Sequence, residues 1–209
     1  MIIKKPIALG FVICNAVYTV ICIIRFIYTN SQVLIDINKP PPLDIPQNSI
    51  WYIVPQILYV IIFVGLVWLL KIFDEKFWMR LAVIAFIALK IATLLLIHFN
   101  DSQYLLDHNF VFDIVNVGNF ITLLYLLVAL LFVRNRLIRI YFRWFVILMI
   151  LAFFAPRLGE ILYDDFSIHW LLFNIDALSE LCFIVTLLLF VKVYTIGKKN
   201  SGDSNMSYS

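Results

Sequence analysis

Six long runs of apolar residues fill this chain, each separated from the next by a polar or turn-forming stretch. A bilayer core takes roughly 20 mostly apolar residues in helical form. The runs cover about 6–29, 50–73, 78–99, 110–133, 138–163 and 168–194, and each predicts a membrane-spanning helix. The breaks are 30–49 with Pro40, Pro41, Pro42 and Pro46, then 74–76, 100–109, 134–136 and 164–167. Polar and apolar residues do not alternate with period two, so the pattern argues against a β-barrel. The expected architecture is all-α: a polytopic bundle of six transmembrane helices forming one domain over 1–196. A Ser-, Asn- and Lys-rich tail, 197–209, is expected to be disordered.

Composition supports lipid as the main solvent. Of 209 residues, 64% are hydrophobic and 14% charged, against about 25% charged in a soluble domain. A chain this small cannot hide so much apolar surface from water. A soluble enzyme and a nucleic-acid-binding domain are therefore excluded. The first run follows Lys4 and Lys5 like a secretory signal, but it is too long for one and lacks an A-x-A-like exit, so it reads as a retained span.

Charge then sets the orientation. Lys4, Lys5, Lys71, Lys76, Arg80, Arg134, Arg136, Arg139, Arg143, Lys192, Lys198 and Lys199 all fall on one side of a six-span topology, and only Lys39 falls on the other. Cytoplasmic loops carry such an excess. Both termini are therefore expected in the cytoplasm, the net +3 charge reads as sidedness rather than as a sign of a partner, and the cell membrane is the expected location. The tryptophans agree: Trp51 and Trp170 begin spans at the outer interface, Trp78 and Trp144 at the inner one.

Seven charged residues remain inside the runs: Arg25, Lys90, Asp113, Arg157, Glu160, Asp176 and Glu180. A charge at the centre of a spanning helix costs at least about 2.5–3.5 kcal/mol, so such residues face the bundle or a wet cavity. At 100° per residue, His169, Asp176 and Glu180 share an arc of roughly 40° on the sixth helix, and Asp113, Asn116 and Asn119 one of roughly 120° on the fourth. Arg157 and Glu160 are an i,i+3 pair on the fifth, bracketed by Pro156 and Gly159. Tyr52, Gln56 and Tyr59 share a face of the second, and Tyr18, Cys22 and Arg25 one of the first. All seven charges sit in the outer half or near the midplane. The stripes predict an outward-opening polar cavity centred on helices four, five and six, lined by Asp113, Asn116, Asn119, Arg157, Glu160, His169, Asp176 and Glu180.

That cavity admits three functions. The first is binding or translocation of a small polar ligand, ion or proton. The second is an accessory or regulatory membrane subunit whose buried charges are structural. The third is an intramembrane enzyme acting on a lipid or lipid-linked substrate. No GxSxG, phosphate loop or HExxH motif supports a named reaction. His98, His108 and His169 lie at the outer interface without a histidine partner at i+4, so no metal and no cofactor is expected. The three cysteines fall in apolar runs and suggest no disulfide. Expected partners are membrane lipid, a small polar ligand or ion, and a membrane protein or second copy of the chain, but not nucleic acid. Only six glycines are available for close helix contacts, which predicts loose packing by large side chains.

Overall fold

A computed structural model describes residues 4–35, 50–99, 109–162 and 182–197, with side chains at 4–24, 27, 53–96, 114–152 and 182–197. The described residues form six helices and no strand: α1 (Lys5–Ile35), α2 (Ile50–Ile72), α3 (Phe77–Phe99), α4 (Asn109–Leu131), α5 (Arg136–Leu162) and α6 (Cys182–Gly197). Four contain stretches long and apolar enough to cross a membrane: Lys5–Ile24, Ile53–Ile72, Phe77–Leu96 and Ile114–Leu131. The described residues are thus all-helical apart from short turns, with a composition that points to a membrane.

The helix ends track the sequence breaks, with one difference. α1 continues to Ile35, through Asn30, Ser31 and Gln32. Polarity there does not end the helix, because these residues tolerate helical backbone without a proline or glycine to stop it. The sixth run's first part, 168–181, lies outside the described residues, as do 36–49, 100–108, 163–167 and the tail from 198.

The chain divides into two compact units. In the first, α6 lies beside α1 in antiparallel register. Phe11 stacks on Phe190 with ring centroids 5.4 Å apart, and Tyr18 meets Phe183 edge-on at 4.7 Å. Phe183 also meets Phe145 of α5, at 6.3 Å. Offset and edge-to-face arrangements of this kind suit aromatic quadrupoles.

The second unit is α2, α3 and α4, with α3 packed against both neighbours. Phe63, Leu66, Met79, Val83, Leu126 and Leu130 are buried there. α2 ends in a Schellman motif: the Glu75 N–H donates to the Leu70 carbonyl (2.9 Å) and the Asp74 N–H to the Lys71 carbonyl (3.2 Å). Asp74 takes the left-handed position at φ 51°, which aspartate accepts more readily than most residues. The turn aims Glu75 inward. Its carboxylate accepts the backbone N–H of Arg134 (3.0 Å) and of Asn135 (2.8 Å) and is only 3% exposed. These donors stand immediately ahead of Arg136, where α5 begins, and N–H groups at a helix start lack intrahelical partners. One side chain therefore joins the α2–α3 turn to the end of α4.

Elsewhere the helices present apolar side chains outward: Ile13 is 54% exposed, Ile57 54%, Val117 57% and Leu188 53%. In water such faces would be costly; against lipid they are neutral. Among the described residues, Cys14, Cys22 and Cys182 form no disulfide.

Candidate functional site

Of the residues expected to line the cavity, Asn116 and Asn119 have described side chains. Asp113 lies in α4, and Arg157 and Glu160 lie in α5, but their side chains are outside the description. His169, Asp176 and Glu180 fall wholly outside the described residues, as does His108, while Arg25 and His98 are described only as backbone. The two asparagines have different environments. Asn116 is exposed, whereas Asn119 is half-buried.

Asn119 meets α3 through its amide nitrogen, which donates to Thr93 Oγ1 at 2.7 Å. The Thr93 hydroxyl in turn donates to the Leu89 carbonyl of its own helix at 2.9 Å. Among the described residues, this leaves Asn119 Oδ1 buried with no hydrogen-bond partner. A buried acceptor left without a donor costs about 1–3 kcal/mol. One turn along, the Thr122 hydroxyl lies 2.9 Å from the Gly118 carbonyl and 3.1 Å from that of Asn119. Between the same helices, the Leu89 side chain would sit at ordinary contact distance, 3.5 Å, from a Cβ placed on Gly118.

Lys90 is next to Leu89 on α3 and serves the other flank. Its ammonium sits over the Tyr59 ring of α2, 5.7 Å from the centroid. Tyr59 belongs to an aromatic group with Phe63 and Phe86, at 4.8 and 6.4 Å. A cation over an aromatic face is stabilised by the ring quadrupole, more so away from water. α3 thus carries a cation facing α2 and a hydroxyl facing α4, one turn apart.

A second polar contact lies in the other unit. Asn15 of α1 and Thr186 of α6 are both fully or nearly buried, 0% and 2% exposed. In the amide orientation that satisfies both ends, Asn15 Nδ2 donates to the Phe183 carbonyl (3.0 Å), and Oδ1 accepts from the Thr186 hydroxyl (2.6 Å) and the Leu187 N–H (3.1 Å). The amide lies across a carbonyl and an N–H four residues apart on α6. Thr19 is buried one turn further along α1, its hydroxyl donating to the Asn15 carbonyl at 2.8 Å.

Sequence reasoning found Asn119 but not Thr93 or Thr186. Threonine in an apolar run gives little signal, since its hydroxyl can bond to a carbonyl of its own helix. The spacing of Thr93 three residues after Lys90 was the available clue. In comparisons with known proteins, no family model matches the chain, and neither does any curated protein or solved structure.

Proposed function

We propose that this is a six-span protein of the cell membrane, both ends cytoplasmic, that binds or passes a small polar ligand, ion or proton. The site is formed by Asp113, Asn116, Asn119, Arg157, Glu160, His169, Asp176 and Glu180 in the outer half of the spans. The observation that carries this reading is Asn119 Oδ1. An acceptor with no donor among the described residues, on the same helix as Asp113 and Asn116, is suited to a ligand that brings a donor or a positive charge. Lys90 on the adjoining helix adds a charge that lipid alone would not favour.

Flux measurements in proteoliposomes test it. Wild-type protein is expected to move protons, Na⁺ or K⁺ faster than protein-free vesicles, and the pair Asp176→Asn, Glu180→Gln to lose most of that flux. Asn119→Leu should reduce it while the protein stays folded. Flux equal to that of empty vesicles for all three ions, with no stabilisation by any of them, would sink the proposal.

The Asn15–Thr186 contact favours a second reading, an accessory membrane subunit. That contact is complete within the protein, so it serves helix pairing and leaves nothing for a ligand. A stable membrane partner or second copy that co-purifies at native expression would support it; a lone chain with ion flux would not.

A further inference from the structure

α5 is 27 residues long, about 40 Å at the helical rise, whereas the hydrocarbon core is about 30 Å thick. Its surplus lies at the N-terminal end. Arg136, Arg139 and Arg143 occupy the first two turns, and the residues from Trp144 to Leu162 suffice to cross.

The arginines form a single line. At 100° per residue, Arg136, Arg139, Arg143, Ile147 and Ile150 fall within an arc of roughly 80°. Arg136 and Arg143 are exposed and Arg139 is half-buried, while Ile147 and Ile150 are 44% and 38% exposed. The same outward face is thus cationic for two turns and apolar beyond them. Trp144, 54% exposed, marks the change, and tryptophan prefers the headgroup level.

None of the three guanidiniums has a hydrogen bond, ion pair or ring contact among the described residues. The first turn of α5 contains no acidic residue. Cations at a helix N-terminus oppose the macrodipole, and like charges three and four residues apart repel. Three arginines at these positions work against the helix unless an anion lies beside them.

We propose that Arg136, Arg139 and Arg143 form a binding site for the phosphate-bearing headgroups of anionic phospholipids on the cytoplasmic leaflet. The acyl chains of the bound lipid run along Ile147 and Ile150. Guanidinium suits this ligand because its planar donors pair with phosphate oxygens two at a time. The inference rests on reading α5 as a membrane span.

The test reconstitutes the full chain in pure phosphatidylcholine vesicles and in equimolar phosphatidylcholine–phosphatidylglycerol vesicles, and follows thermal unfolding. Phosphatidylglycerol should raise the Tm of the wild type, and added salt should erode that gain. Apparent affinity for phosphatidylglycerol should fall roughly fivefold for each arginine removed. It should be nearly lost in R136Q/R139Q/R143Q and kept in the triple lysine variant and in K192Q. The site is overturned if both vesicle types give the same Tm at low salt, or if the triple glutamine variant responds as the wild type does. The lipid assignment is overturned if inorganic phosphate reproduces the shift, or if an acidic protein co-purifies through these arginines while lipid has no effect. Cysteines introduced at Ile147 and Ile150 separate the two readings: strong labelling by a membrane-impermeant maleimide means that α5 does not span, whatever the lipid response.

Discussion

Glu75 and Asp74 are adjacent, yet one is buried and the other exposed. The left-handed backbone at Asp74 is what separates them, since it turns the next side chain toward the Arg134 and Asn135 amides. Hydrogen bonds to a charged acceptor contribute about 1.5–3 kcal/mol. Glu75→Ala should therefore destabilise the protein by about that amount, and Glu75→Gln by less, since one oxygen can still accept. Chemical unfolding in detergent micelles reads the difference; equal midpoints for wild type and Glu75→Ala would show that the clip contributes nothing. Asn15 belongs to a different medium. Interhelical hydrogen bonds in membranes average about 0.6 kcal/mol and reach about 1.7, because the separated helices also find partners. Asn15→Ala should cost within that range, and a double-mutant cycle with Thr186→Ala should return a coupling near its lower end. Strict additivity of the two substitutions would mean that the side chains do not interact.

At the scale of the helix, Gly118 tests how α3 and α4 pack. A methyl group there would meet Leu89 at 3.5 and 3.6 Å, ordinary contact distances. Gly118→Ala should then be neutral or stabilising by up to about 1 kcal/mol, through helix propensity, whereas Gly118→Leu should overpack the pair and cost about 1–3 kcal/mol. If alanine is as damaging as leucine in the same unfolding assay, the helices are closer than described. The glycine is tolerated at this contact, not required by it, which fits a chain with few glycines and large apolar side chains. Most of the helical architecture was legible from the length of the apolar runs, because in lipid only helices and closed barrels satisfy the backbone. Helix ends were less so, as α1 shows by continuing through Asn30 to Ile35. Of the site, Asn119 was legible because an amide is conspicuous in an apolar run. Its partner Thr93 was not, because its hydroxyl is already satisfied by Leu89. Which of two asparagines three residues apart would be exposed depends on where α3 packs, and a single helix's sequence carries no such information.

For the whole molecule the open quantity is the number of crossings. Cations collect at the start of α1, around the α2–α3 turn, at the end of α4 and start of α5, and late in α6. The positive-inside rule would place all of these ends in the cytoplasm. A chain crossing only through α1 to α4 would also keep both termini inside, so the location of the C-terminus cannot separate four crossings from six. The segment between α5 and α6 can. Residues 144–162 of α5 supply about 28 Å of helix, close to the hydrocarbon thickness, and they follow the last arginine of the basic line. We therefore expect alkaline phosphatase fused at Ser167 to be active, as it should be at Gln47 and Asp107, and fusions at Asp74, Asn135 and Lys199 to be inactive. A green fluorescent protein fused at Lys199 should fluoresce. An inactive Ser167 fusion beside active Gln47 and Asp107 fusions would reduce the protein to four crossings. It would also leave Arg157, Glu160, Asp176 and Glu180 on the cytoplasmic side, where they could not share an outward-facing site with Asp113 and Asn119.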